Sequence, residues 1–466
     1  MSTDDRKSRG APDGLGIGRT PVTRRDFLKV AGVAGAALGI GGAGSVVAAC
    51  GSSDETSDGS SGAATGRTLK VGFVSPLTGP LAPFGEADTW CVDQWKAYVK
   101  DGLQCGDGQV HPIEFIVKDS QSSTDRAGTV AGELITNDGV DVMMVASTPD
   151  TVVPVAINAE SLGVPCVSND CPWQPYFFGR QEDPKNPVPF TWTYHFFWGL
   201  EDVTANFMAM WDGLKTNKLV GEMWGNDADG IAWSDPVTGQ PPMLTAGGYK
   251  FIDSGRFQAN TDDFTPQISK FKAAGVDIVS GNMLPPDFIN FWKQCSQQGL
   301  EPVACTIGKA LLFPSQLEAV GDIGYNLTTE CWWTPSHPFK SSLTGQTDQE
   351  IGDAFTADTG KQWTQPLLHY AVFEVVADSL KRATNVDDKQ VILDAIKATD
   401  LDTMCGNVNW NAGPPQVPEV APNVSKTPLV GGQWVKGEKY PFDLKIVVNP
   451  TAPEITVQQD VAPIKY

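Results

Sequence analysis

From Leu69 onward, short apolar runs alternate with amphipathic ones, and the alternation starts over partway along the chain. Leu69–Ser75 reads as a buried strand and Phe84–Lys100 as a helix. Ile113–Asp119 alternates like a strand. Ser123–Asn137 is helical, with Ala127, Val130, Ala131 and Leu134 on one face. Asp141–Val145, Thr151–Ser161 and Val164–Ser168 continue as strand, helix and strand. Such a βαβα order is the signature of a parallel sheet covered on both faces. After an aromatic-rich stretch the pattern restarts. Leu219–Trp224, Val276–Gly281 and Pro302–Thr306 read as strands. Phe264, Ile268 and Phe271 lie on one helical face, and Pro285–Gln298 is a helix with proline at its start. The expected architecture is therefore α/β, with two doubly wound parallel-sheet lobes. Later, Leu368, Ala371, Val372, Val375, Val376 and Leu380 form one apolar helical stripe, and Asp388–Ala398 reads as another helix. Strands return near Val408–Trp410, Pro428–Trp434 and Leu444–Val448, with a proline-rich loop between.

The stretch before Leu69 addresses the compartment. Thr23-Arg24-Arg25-Asp26-Phe27-Leu28-Lys29 reads as a twin-arginine export signal. Val30–Ala49 is long enough to span a bilayer, but Gly and Ala dominate it, which suits a cleaved leader better than a permanent helix. Val47-Ala48-Ala49-Cys50 resembles a lipobox, so Cys50 is expected to become a lipidated N-terminus. Residues 1–49 are then signal peptide. Residues 50–67, rich in Gly, Ser and Asp, are a flexible tether. The protein is expected on the outer face of the cell membrane, held there by its lipid.

Residues 1–49 carry seven of the 34 basic and four of the 55 acidic side chains, so their removal takes the net charge from −21 to about −24. That balance argues against nucleic acid and anionic membrane surfaces as partners. Eight cysteines remain after Cys50. An even number in an exported chain favours disulfides, and closeness in sequence nominates Cys166–Cys171 and Cys295–Cys305. No pair has the CxxC spacing of a zinc site, and no metal or cofactor is expected.

The segments LKVGFVSPLTGPLAPFGE (residues 69–86), VKDSQSSTDRAGTVAGELI (117–135), FTPQISKFKAAGVDIVSGNMLPPDFINFWKQCSQQGLEP (264–302) and AIKATDLDTMCGNVNWN (395–411) resemble, in that order, the substrate-binding lipoproteins of branched-chain-amino-acid-type ABC importers. The resemblance implies the type I periplasmic-binding fold, a two-lobed clamp crossed three times by the chain. It puts lobe one at residues 68–195 plus 335–415 and lobe two at 196–334 plus 416–450, leaving 451–466 as a tail. It implies a monomer that takes a small molecule in the cleft and hands it to permease subunits.

Ligand contacts should lie on loops after strands, at the C-terminal ends of both sheets. The resemblance makes Phe84 a candidate lid and Ser147 and Thr148 donors to a ligand carboxylate. Asn169, Asp170 and Trp173 follow the fourth strand. Trp198 follows the crossover to lobe two, and Met283 and Leu284 give that lobe an apolar face. Asp227-Ala228-Asp229-Gly230 hints at calcium but lacks the first and last ligands of such a loop. Family members that bind amino acids carry an acid near Lys309, and here CTIGKALLF offers none. Absence of that acid, with 14 tryptophans in the chain, favours a hydrophobic or aromatic ligand, possibly a carboxylic acid paired with Lys309. The alternatives are a branched-chain amino acid or amide binder and a ligand-sensing receptor. An enzyme is less expected, since HExxH, GxSxG and P-loop motifs are missing.

Overall fold

The computed structural model describes residues 64–414 and 417–466. The expectations for the leader, for Cys50 and for most of the tether fall outside those residues. Five parallel strands start the first sheet: β1 (Leu69–Ser75), β2 (Ile113–Asp119), β3 (Val142–Ala146), β4 (Cys166–Asn169) and β5 (Thr193–Phe196). The second has β6 (Leu219–Gly225), β7 (Lys250–Phe257), β8 (Ile278–Met283), β9 (Ala304–Lys309) and β10 (Thr328–Cys331), again parallel. A short β11 (Val424–Ser425) then joins β5 in the first sheet, while β12 (Val430–Lys436) extends the second antiparallel to β10 and β13 (Phe442–Val448) pairs antiparallel with β12. The orders are β11-β5-β4-β3-β1-β2 and β13-β12-β10-β9-β8-β6-β7. The chain thus passes between sheets after Phe196, Cys331 and Ser425. Because β11 pairs with β5, the last passage lies after Ser425 rather than at residue 416.

Local chemistry explains the helices that flank the site. In α1 (Asp88–Tyr98) the start is later than the pattern suggests. A 3-10 turn, Ala82–Gly85, precedes it, and a β-carbon on Gly85 would come within 2.9 Å of the Pro76 carbonyl oxygen. That close approach turns the chain before the helix can begin. The Ser123 side chain caps α2 (Thr124–Thr136) by accepting from the Arg126 N–H. α3 (Pro149–Leu162) starts on Pro149, ends on left-handed Gly163, and leaves the Thr148 side chain out of its cap. Ala127, Val130, Ala131 and Leu134 of α2, with Val152, Val155, Ala156 and Ala159 of α3, cover Val74, Met143 and Val145 of the first sheet. α4 (Trp173–Phe178) follows β4, and α5 (Leu200–Asp212) opens the first passage. In the second sheet α6 (Ala228–Trp233), α7 (Gln240–Ala246), α8 (Thr265–Ala274), α9 (Pro285–Gln298) and α10 (Pro314–Val320) follow their strands. α11 (Asp348–Thr359), α12 (Tyr370–Arg382) and α13 (Lys389–Lys397) follow the second passage, and α12 packs on β3 and β4.

The disulfide expectation is not met: all eight cysteines of the described residues are free and buried. Cys166 begins β4 and Cys171 follows its end. Four residues of strand span roughly 10 Å, beyond the Cα separation a disulfide bridges. Cys295 on α9 and Cys305 on β9 share one apolar layer as small hydrophobic side chains. Among the described residues no helix is long and apolar enough to cross a membrane.

Candidate ligand cleft

Strand order reverses at β1 in the first sheet and at β6 in the second, and open α/β sheets bind ligands outside the strand ends at such points. A cavity of about 20 Å³, enough for one water, lies between loops from both sheets. Phe84, Phe197, Trp198, Trp233, Leu312 and Trp332 make its apolar wall. Thr148, Asp170, Asp229, Lys309 and Glu330 supply its polar groups. Phe84 sets its ring edge-on to Phe313, with centroids 5.0 Å apart, so the loops after β1 and after β9 meet over the cavity. A wider groove of about 390 Å³, lined by Thr65, Lys100, Val110 and Ile113, lies at the opposite, N-terminal ends of the first sheet's strands.

Five of the ten sequence-predicted contacts meet here: Phe84, Thr148, Asp170, Trp198 and Lys309. The other five lie apart from the lining. Ser147 is buried one residue from Thr148, with its hydroxyl unpartnered. Asn169 donates to the Leu368 carbonyl at 3.4 Å. Trp173 turns to the first passage, where its indole N–H donates to Glu201 at 3.0 Å. Met283 is buried in the apolar layer behind the second sheet, and Leu284 caps α9. Neither lines the cavity: β8 runs on through Met283, and α9 begins at Pro285.

Lys309 needs a correction. It is the last residue of β9, in a left-handed conformation (φ 65°), and only 6% exposed. Its ammonium lies 2.9 Å from Asp227 and 2.7 Å from Asp229, so it is already matched and is not a free cation for a ligand anion. The premise that no acid stands near it also fails. Asp227 uses its other oxygen to cap α6, accepting from the Gly230 N–H at 2.7 Å. The two carboxylates whose spacing hints at calcium are thus engaged with lysine and helix.

Asp229, Trp233, Phe197, Leu312, Glu330 and Trp332 were not read as contacts from the sequence. Glu330 on β10 accepts from the Lys309 backbone N–H at 3.0 Å and from the Thr329 hydroxyl at 3.0 Å. Burial raises its carboxyl to about 7. Burial also raises Asp229, although Lys309 pulls it the other way. For Lys309, burial opposes the charge, but Asp227, Asp229 and Asp150 outweigh it and hold the ammonium firmly protonated.

Several buried polar atoms in and beside the cavity have no partner among the described residues: the Ser147 and Thr148 hydroxyls, the Trp198 and Trp233 indole N–H groups, and Asp229 Oδ1. Natural proteins rarely leave such groups unmatched, because each costs about 1–3 kcal/mol.

The raised carboxyls give a pH signature. Folded Glu330 and Asp229 hold protons that the unfolded chain, with ordinary values of 4.5 and 3.8, releases as pH rises. The native state binds more protons there, so stability falls with increasing pH through that window. Calorimetry of the solute-free protein should give a Tm lower by several degrees at about pH 8 than at about pH 5. A Tm that rises over the interval contradicts the burial of these groups.

Residues 68–417 match the model of a family described as periplasmic binding protein. The chain belongs to the periplasmic binding protein family. This binding protein also carries an export signal: residues 21–41 match the twin-arginine translocation signal model. Its fold is that of solved relatives. A leucine binding protein from Thermotoga maritima superposes with a TM-score of 0.67 at 17% identity, covering 82% of this chain and 99% of its own. A solute binding protein of an ABC transporter from R. palustris, in complex with 4-hydroxybenzoate, gives 0.64 at 19%, covering 83% and 98%. A leucine-, isoleucine-, valine-, threonine- and alanine-binding protein from Brucella ovis, in a closed conformation, gives 0.65 at 16%, covering 85% and 98%.

Proposed function

We propose that this binding protein captures a small molecule between two lobes and delivers it, unchanged, to the permease of an ABC importer. The observation that carries the reading is the set of unpartnered buried polar atoms around an aromatic-walled cavity where two parallel sheets present their C-terminal ends. The ligand we infer has a hydrophobic or aromatic body. Its polar end meets Thr148 and the start of α3, a position that suits a carboxylate, since helix N-termini favour anions. With Lys309 matched internally, that end of the helix and the two indole N–H groups, rather than the lysine, recommend an acid. A second reading, an amino acid or amide, is favoured by Asp229 Oδ1 and Glu330, which accept hydrogen bonds from an amine. Both chemistries occur among the solved relatives, one a leucine binding protein and another solved in complex with 4-hydroxybenzoate.

The lobes, in this reading, are the two sheets with their helices, hinged at the three passages and closing on solute. Thermal-shift screening identifies a solute, and small-angle scattering then tests the clamp. Saturating solute should reduce the radius of gyration and, at 100 times Kd, add about 2.7 kcal/mol of stability. Binding with no compaction counts against the clamp, and recovery of an altered molecule points to an enzyme.

The lipobox-like Val47-Ala48-Ala49-Cys50 supports anchoring through a lipid on Cys50. Cys50→Ala should leave the exported protein out of the membrane fraction and without lipid label. A lipid-labelled Cys50→Ala protein overturns the assignment.

A further inference from the structure

Behind the cavity wall lies a buried group of charges that the capture reading does not use. His369 ends the 3-10 turn Gln365–His369, just before α12. Its Nδ1 is 2.6 Å from Asp88 Oδ1 on α1, and its Nε2 is 2.7 Å from Asp170 Oδ2 after β4. All three are almost fully enclosed. The Ser75 hydroxyl, at the end of β1, donates to the other oxygen of Asp88. With both carboxylates ionised, each only accepts, so both ring nitrogens carry hydrogens and the ring is an imidazolium; burial raises the Asp170 carboxyl, and His369 pulls it back toward the ionised form.

Asp170 is the one member that reaches the cavity. It sits there with φ 66°, a left-handed conformation that non-glycine residues adopt uncommonly. Its Oδ1 has no hydrogen-bond partner among the described residues, whereas Oδ2 is fixed by His369. Lys309 is the other cation acting on Asp170. A buried ion cluster is an expensive way to join α1, α12 and β4 when apolar residues pack as well. The arrangement has a use if the carboxylate it aims is needed in the cleft.

We propose that His369 is a positioning residue for solute recognition: clamped between Asp88 and Asp170, it presents Asp170 Oδ1 to the cleft as an acceptor for a hydrogen-bond-donating group, an amine or a hydroxyl, on the solute. The proposal rests on the capture reading and narrows its ligand. Supporting the geometry, burial works against charge on His369, but Asp88 and Asp170 together outweigh it and hold the ring protonated well above its ordinary range.

Two experiments test this. First, nitrogen-15 NMR of the wild-type protein should show the His369 ring doubly protonated from about pH 5 to about pH 9. A neutral ring at neutral pH overturns the proposal. Second, calorimetry compares two probe pairs that differ by one donor: leucine against 4-methylpentanoate, and 4-hydroxybenzoate against benzoate. In at least one pair the donor-bearing member should bind about tenfold tighter or more, the worth of one charge-assisted bond. The leucine pair responding identifies an amine, and the benzoate pair a hydroxyl. In His369→Gln and in Asp170→Asn that preference should shrink below about threefold, with the donor-free member's affinity little changed. A preference that survives both substitutions, or equal binding within both pairs by the wild type, overturns the role. If none of the four probes binds, the inferred ligand classes are wrong, and the ring's protonation alone upholds or overturns the charged clamp.

Discussion

Lys309→Met is expected to cost about 3 kcal/mol, the lower end of the range for breaking a buried pair, because it leaves buried Asp229 beside part-exposed Asp227 without their cation. The lysine is 6% exposed and lies within 2.9 Å of both carboxylates; Asp229 is buried, whereas a quarter of the Asp227 side chain reaches solvent, so water can take over only part of its role. Methionine matches the length of the side chain and keeps a β-carbon at the left-handed position, so backbone strain is nearly unchanged. Protonation of Asp229 relieves part of the repulsion, which also keeps the loss at that lower end at neutral pH. Adding Asp229→Asn to Lys309→Met should recover more than half of it. Chemical denaturation measures both. A loss under about 1 kcal/mol for Lys309→Met means that the ammonium is not the internal counter-ion described here.

Gly308→Val should abolish solute binding, by at least about 100-fold, while leaving the protein folded. Gly308 lies in β9 between Asn282 of β8 and the chain leading to Glu330. A β-carbon there would sit 2.8 Å from the Trp233 ring and 3.2 Å from the Glu330 carboxylate oxygens. The backbone is compatible with valine, which suits a strand. What must give way is the Trp233 indole, itself part of the cavity wall. Overpacking of this kind costs typically 1–3 kcal/mol of stability. Calorimetry with a solute found by screening checks the affinity, and the melting transition checks the fold. Full affinity in Gly308→Val places the ligand elsewhere.

These two residues also show what could be read from the chain in advance. Pro285–Gln298 is a helix with the boundaries its sequence proposes, since Pro285 pre-sets the first turn and Gly299 supplies the left-handed stop. The two parallel-sheet lobes follow in the same way from short strands alternating with helices, although the order of strands within each sheet does not. Site chemistry was harder because it is made by distant segments. Lys309 looks like a loop lysine until β9 is seen to run on through it, and its partner Asp227 is 82 residues away. Glu330 and His369 sit in apolar surroundings, where a single polar residue carries no periodic signal. Only the fold shows that Glu330 touches the Lys309 backbone and that His369 joins Asp88 to Asp170. The cysteines mislead for a related reason: spacing along the chain says nothing about whether a strand holds two of them apart.

The central claim is that the aromatic-walled cleft holds one small molecule per chain and does no chemistry on it. Native mass spectrometry of the exported protein, taken from cells without added ligand, tests it most directly. The expected result is a single bound species that leaves on denaturation, matches the supplied compound in mass, and is missing from Gly308→Val. A wild-type protein that carries nothing and binds nothing from a broad solute library, a bound species retained by Gly308→Val, or a released molecule changed in mass would contradict it.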